Sequence, residues 1–208
     1  MKYQQTLKAI QKQGFLLVFP IKNAKYPNSL WNELYPDHEM RWEWDEDGDG
    51  RVFDLWRLRE QLAASKEVVY GKYFRGRATF FSKPVFKDLL TIKESASYRP
   101  NMREAQNILE LLESDSPLST KQIKNMAELK GRFFESSYHK AMRELWSSLT
   151  VVATGEIDDG AFPSLAHAAT KSMFEDLWLE SEKADIADAW MRLCDLPEFE
   201  ILEPALLV

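Results

Sequence analysis

The stretch MRWEWDEDGDGRVFDLWRLREQLAASKEVVYGKYFRGRATFFS, residues 40–82, decides the fold because several structural signals follow one another in it without a break. Its first residues alternate apolar and charged side chains, which predicts a strand over residues 40–44. An acidic, glycine-rich loop comes next. Over residues 51–65 the apolar positions fall mostly at spacings of three and four, which predicts a helix with one covered face. The charged side chains of that helix are expected on its exposed face: Arg51, Arg57, Arg59 and Glu60.

A β-hairpin follows the helix. Two β-branched and aromatic runs, residues 68–74 and 78–81, are joined by Arg75-Gly76-Arg77. Gly76 can supply the positive φ that a tight turn requires. A further helix is expected over residues 83–90, because Ser82 can cap it and Pro84 is tolerated in its first turn.

The second half of the chain repeats this kind of pattern. Residues 102–113 read as a helix, and Ser119 with Gln122 forms a capping box for a second helix that runs to about residue 129. A third helix should begin at Ser136 or Ser137, with these apolar positions on one face: Tyr138, Ala141, Met142, Leu145, Trp146 and Leu149. A strand at 150–154, the turn Asp158-Asp159-Gly160 and a returning segment at 161–162 then predict a second hairpin.

These elements predict an α+β, mostly helical protein built from tandem winged helix-turn-helix units with short β-hairpin wings. We expect an N-terminal unit at residues 1–93, which holds the acidic loop and the basic hairpin. A winged helix-turn-helix unit is expected at residues 102–163. Residues 164–208 should form acidic helices, around 166–179 and 184–193, and an extended apolar tail from 197, packed on the rest of the chain.

Charge is distributed unevenly along the chain. The protein has a net charge of −6, yet residues 151–208 alone carry −10, so the first 150 residues stand at +4. Such an asymmetry points to a polyanion partner or to an internal mimic of one. The acidic C-terminal quarter is also a candidate surface for another protein.

The acidic loop resembles the start of a calcium-binding EF-hand loop. Asp45, Asp47 and Asp49 occupy positions one, three and five, and Gly50 occupies position six. Position twelve is Trp56, however, where the EF-hand places a bidentate Glu. We therefore expect a turn whose carboxylates cap the following helix, with calcium binding as the alternative.

Two basic segments are candidate DNA contacts. The hairpin carries Lys72, Arg75 and Arg77 among aromatic residues that can stack on bases. His139, Lys140 and Arg143 lie opposite the apolar face of the third helix, where a recognition helix contacts DNA. Further cations lie near that helix in the sequence: Lys121, Lys124 and Arg132. The alternative for each segment is a solvated surface or, for the hairpin aromatics, core packing.

The sequence contains no His pair, GxSxG elbow, HExxH motif or Walker loop, so the residues alone predict no cofactor and favour a protein that is not an enzyme. His38, His139 and His167 are far apart, and each is expected at the surface or hydrogen-bonded. The single cysteine, Cys194, is expected to be a buried structural thiol. With no signal-peptide pattern and no long apolar run, the expected location is the cytoplasm, without a membrane partner.

The chain resembles a group of bacterial proteins described as AlkZ-related, distant relatives of the AlkZ/YcaQ-type winged-helix DNA glycosylases. The resemblance is carried by MRWEWD, RVFDLWRL, VVYGK and RGRATFFS within residues 40–82, and by PLSTKQI (117–123) and GEIDDGAFPSL (155–165). It implies tandem winged helices and an association with DNA in repair or regulation. Active glycosylases of this kind use a Gln-aliphatic-Gln motif, whereas the match here is Gln11-Lys12-Gln13. A DNA glycosylase acting on damaged bases therefore stays an alternative, as does a protein-interaction module that does not bind DNA.

Overall fold

The computed structural model of the protein describes residues 2–41, 50–161 and 163–206. Within these residues the helices are α1 (Lys2–Gln13), α2 (Leu30–Leu34), α3 (Gly50–Ser65), α4 (Lys83–Ile92), α5 (Arg103–Ser114), α6 (Thr120–Met126), α7 (Glu135–Ser147), α8 (Thr170–Met173), α9 (Glu175–Lys183), α10 (Ile186–Cys194) and α11 (Phe199–Leu206). The strands are β1 (Phe15–Leu17), β2 (Val69–Gly71), β3 (Thr79–Phe81), β4 (Leu118–Ser119), β5 (Val151–Ile157) and β6 (Ser164–Ala169). The predicted α+β class is confirmed.

One antiparallel sheet contains the strands of both halves, in the order β1-β3-β2-β5-β6-β4. The order reads the same from either end, because in each half the first strand pairs with the third and the third pairs with the second. The two halves meet at the centre, where Tyr70 of β2 lies opposite Ala153 of β5.

The sheet separates two apolar cores. Successive side chains of a strand point to opposite faces, so Leu16, Tyr70 and Phe80 face one core while Phe15 and Phe81 face the other. The first core is shared with the buried faces of α1, α3, α5 and α7. The second is shared with α4, α9, α10 and α11.

Several local predictions are confirmed. The capping box of α6 is present, with the Ser119 hydroxyl accepting from the Gln122 N–H and the Gln122 side chain accepting from the Ser119 N–H. The first predicted hairpin forms between β2 and β3, and α4 follows it with Pro84 in its first turn. Ser82 occupies the N-cap position of α4, but its side chain makes no capping hydrogen bond. The helix predicted to run to about residue 129 ends earlier, at Met126.

The expected helix over residues 166–179 is wrong at its start. Residues 164–169 form β6, and the helical segments begin at Thr170 and Glu175. Alanine favours helix locally, but β6 pairs with β5 on one side and with β4 on the other, so tertiary pairing overrides the propensity. The second hairpin consequently returns through residues 164–169, later in the chain than the predicted 161–162.

Two predictions about the C-terminus are also wrong. The tail expected to be extended contains α11, which buries Leu202 in the second core. Cys194 is exposed, because α10 turns its neighbour Leu193 and Ala189 inward. α10 is tied to α4 by the Arg192 guanidinium, which donates to Asp88 Oδ1 at 2.7 Å and to Oδ2 at 3.0 Å.

The acidic loop lies in residues 42–49, outside the described residues, together with most of the strand predicted at 40–44. Calcium binding by Asp45, Asp47 and Asp49 therefore stays a prediction. Within the described ranges, no cluster of three or more His, Cys, Asp or Glu side chains could hold a metal ion. No described helix has both the length and the apolar character that crossing a bilayer requires.

Arg59 does not lie on an exposed face as expected. Only 6% of the residue is exposed, and its guanidinium pairs with Glu156 of β5. The guanidinium carbon also lies 4.0 Å from the centroid of the Trp56 ring. A buried cation needs such partners, because it has lost its hydration. The pair links α3 of the first half to β5 of the second.

We expect Arg59→Met or Glu156→Leu alone to lower the free energy of unfolding by about 3 kcal/mol or more, since each leaves an unpaired buried charge. The double variant R59M/E156L should be much closer in stability to the unmodified protein, because it removes both charges. Urea unfolding followed by tryptophan fluorescence gives the free energy of unfolding of the unmodified protein, the two single variants and the double variant. If the double variant loses as much stability as the two single variants together, Arg59 and Glu156 are not energetically coupled, which would contradict this prediction.

Candidate nucleic-acid interface

A cleft of about 640 Å³ lies between α7, the turn Phe74–Gly76 that joins β2 to β3, and β6. We call it the α7 cleft. Its cationic lining consists of Lys72, Arg75 and Arg143, with His139 beside them, and its aromatic lining of Tyr73, Tyr138 and Trp146. None of the described residues that line it is Asp or Glu. The cleft therefore brings together side chains from both basic segments of the sequence.

α7 contributes one wall because its apolar face is fixed in the first core. Its buried residues are those predicted from the spacing: Tyr138, Ala141, Met142, Leu145 and Trp146. Burial of this face leaves His139, Lys140 and Arg143 exposed on the other side, as expected. The helix packs against α5, which sets its position on the sheet.

The Phe74–Gly76 turn contributes the opposite wall. Arg75 and Gly76 have φ values of 49° and 68°, and the Arg77 N–H donates to the Phe74 carbonyl at 2.8 Å. Positive φ at both central residues is the pattern of a tight hairpin turn that matches strand twist. Phe74 is buried in the second core, and the Arg75 guanidinium carbon lies 5.2 Å from the Phe74 ring centroid. The turn is thus anchored and holds Arg75 outward.

A left-handed conformation is unfavourable for a side chain such as Arg, at a cost of about 1 kcal/mol. Asn or Gly at position 75 would adopt it more easily. A strained residue on the wall of a cleft is a reason to look for a function of its side chain.

Lys72 lines the cleft and is half-buried. Burial lowers the pKa of its ammonium group, and the nearby charge of Arg59 lowers it further. Partial burial strengthens the attraction of this cation for an anion, because water screens it less.

The remaining cationic candidates lie outside the cleft. Arg77, Arg132 and Lys140 are exposed, whereas two others are engaged within the protein. The Lys121 ammonium donates to the Asp159 carbonyl at 2.7 Å. Lys124 binds both carboxylate oxygens of Glu135 at 2.8 Å. Glu135 also lies 3.4 Å from His139 Nε2, so this carboxylate offsets part of the charge at the start of α7.

His167 is a residue of the cleft whose role the sequence did not indicate. It was expected at the surface or hydrogen-bonded. The surface alternative is wrong, because only 3% of the residue is exposed and it lines the cleft from β6. Among the described residues, none hydrogen-bonds to its Nδ1 atom. Its ring centroid lies 5.6 Å from that of Trp146. Burial lowers the pKa of His167 to about 4, and the charge of Lys72 contributes to the decrease.

The only Gln-x-Gln of the sequence, Gln11-Lys12-Gln13, ends α1 and does not line the α7 cleft. The helical context predicted for it is confirmed.

The chain matches the model of a known protein family. The family model described as AlkZ related matches residues 1–198. No curated protein and no solved structure matches the chain significantly.

His167 should make the protein less stable in mild acid. Its folded pKa of about 4 lies below the ordinary value of 6.5, so the unfolded chain binds the extra proton first. The stability it contributes is complete above pH 6.5 and is lost as the pH falls toward 4. We expect the loss of stability between pH 7 and pH 4.5 to be smaller in His167→Gln than in the unmodified protein, by about 2 kcal/mol. Urea unfolding at the two pH values tests this, and equal losses would contradict it.

Proposed function

We propose that this chain, which belongs to the AlkZ-related family, associates with DNA in repair or regulation and does so through the α7 cleft. The observation that carries the proposal is the composition of the cleft. Lys72, Arg75 and Arg143 converge from two separate elements, and the described lining contains no carboxylate. Cations gathered in a concave surface attract the phosphate backbone.

The architecture we propose is a pair of winged helix-turn-helix units that share one sheet. Each half has the order helix, strand, helix, helix, strand, strand: α1-β1-α2-α3-β2-β3 and α5-β4-α6-α7-β5-β6. In each half the first strand pairs antiparallel with the third. This proposal keeps an N-terminal unit within residues 1–93 and extends the second unit through β6. The rest of residues 164–208 then forms the helical cover of the second core.

In this arrangement α7 is the third helix of the second unit and corresponds to a recognition helix. The wing of the first unit, the Phe74–Gly76 turn, lies beside it. We propose that Arg143 and His139 approach the DNA from α7, while Arg75 and Lys72 contact phosphates from the wing. Lys140, Arg77 and Arg132 are exposed further cations at the margin of this surface. Lys121 and Lys124 would have to leave Asp159 and Glu135 to take part.

The acidic C-terminal quarter does not oppose this proposal. α9, α10 and α11 pack on the second core, whereas α7 packs on the first, on the opposite face of the sheet. No described residue beyond 169 lines the cleft. The net charge of −6 therefore describes the whole chain and not the surface we propose for DNA.

A fluorescence-anisotropy titration with a short labelled duplex tests the proposal. We expect binding at low salt that weakens steeply as salt rises, because phosphate contacts release counterions. The double variant Arg75→Asn/Arg143→Gln should bind about tenfold more weakly, and its salt slope should be smaller by about 2. Asn accepts the left-handed backbone at position 75, so this change removes charge without adding strain.

The matched control is Lys8→Gln/Lys12→Gln, which removes the same charge from exposed positions of α1. We expect it to bind like the unmodified protein. Absence of binding at low salt would contradict the proposal and favour a protein-interaction module. An equal loss in both double variants would instead indicate that net charge matters and that the cleft does not.

A further inference from the structure

Among the large apolar side chains whose burial the structure describes, that of Phe133 is the most exposed, with 88% of the residue accessible to solvent. It lies in the connection between α6 and α7, next to Phe134, and the two ring centroids are 5.2 Å apart at 89°. A single exposed apolar residue is ordinary. Two adjacent phenylalanines that are both exposed, at the start of a proposed recognition helix, are not explained by the fold.

The connection that carries Phe133 is held at both ends. Leu129 is buried in the first core, and its N–H donates to the Lys124 carbonyl at 2.8 Å. Gly131 has a φ of 91°, and its carbonyl accepts from the Phe134 N–H at 3.0 Å. α7 then begins at Glu135. The Phe133 ring is therefore presented by a fixed turn.

The charged residues that come just before Phe133 in the chain, Lys130 and Arg132, are cationic, and the exposed acid Glu128 precedes them. Lys130 and Arg132 are exposed, and neither makes an ion pair with a described carboxylate. Glu135, the nearest acid on the α7 side, is engaged by Lys124 and His139. An exposed aromatic ring flanked by free cations matches a ligand with flat apolar surfaces along a negatively charged backbone.

We propose that Phe133 stacks on a nucleobase, so that the ligand is DNA with an unpaired base next to a duplex. This inference rests on the DNA association proposed above and specifies the form of DNA. A paired and stacked base offers no free face, whereas an unpaired base offers one without the cost of unstacking. The cations give affinity for any duplex, and Phe133 gives the preference for DNA that contains an unpaired base.

The alternative ligand for Phe133 is a second copy of the chain, which would bury this side chain in a dimer. The adjacent Lys130 and Arg132 argue against it, because symmetric pairing would bring like charges together. Sedimentation of the full chain distinguishes the two. A dimer that Phe133→Leu converts to a monomer would overturn the proposal.

The test compares three probes bound by the full chain at low salt: a matched duplex, the same duplex with one unpaired adenine, and the same duplex with an abasic site replacing that adenine. We expect the unpaired adenine to bind about tenfold more tightly than the other two, in the range of one base–aromatic stack. The abasic probe keeps the backbone distortion but lacks the base, so it isolates stacking from bending.

Substitutions of Phe133 test whether its ring causes the preference. Phe133→Leu should abolish the preference while leaving matched-duplex affinity and its salt slope unchanged, whereas Phe133→Tyr should retain it. Phe53→Leu, at another exposed phenylalanine on α3, is the control and should also retain it. Salt-sensitive duplex binding without any preference would overturn this inference alone. Absence of binding to all three probes would overturn the proposed function as well.

Discussion

The pairing of β2 with β5, at Tyr70 opposite Ala153, is the interaction on which the rest of the structure depends. Each half of the chain supplies three strands, and this central contact turns them into one sheet with a continuous core on either face. It also brings the hairpin of the first half beside α7 of the second. Without it, Arg75 and Arg143 would belong to separate surfaces.

Because of this pairing, the third helix of each half lies beside the hairpin of the other half. The two contacts differ in charge. In one, α7 and the first hairpin enclose a cleft lined by Lys72, Arg75 and Arg143. In the other, α3 lies against β5 of the second hairpin, where Arg59 is buried against Glu156. A carboxylate of the protein already satisfies the cation there. In the open cleft no described carboxylate lines the wall, which is why we propose that position for an external anion.

Local signals in the sequence predicted the elements that depend on neighbouring residues. Ser119 and Gln122 predicted the start of α6, and Gly76 predicted the first turn. The spacing of the apolar residues predicted the buried face of α7. What the sequence did not reveal depends on distant partners. β6 is a strand because of β4 and β5, and Arg59 is buried because Glu156, 97 residues away, pairs with it.

The candidate site was predictable to the same extent. The residue types were found as two basic segments, but their meeting in one cleft follows from the sheet order, which no local pattern encodes. His167 was missed because a histidine among alanines has no distinguishing spacing. Its burial, and the pKa that burial lowers, exist only once β6 lies between β4 and β5.

The most direct test of the central claim is to map where DNA contacts the protein, by titrating the isotope-labelled full chain with a short duplex and following amide chemical shifts. The account predicts that the largest changes fall in two segments remote in sequence, residues 72–77 and the N-terminal half of α7, and that α9 and α10 change little. Changes concentrated in the acidic C-terminal helices, or confined to only one of the two basic segments, would contradict it.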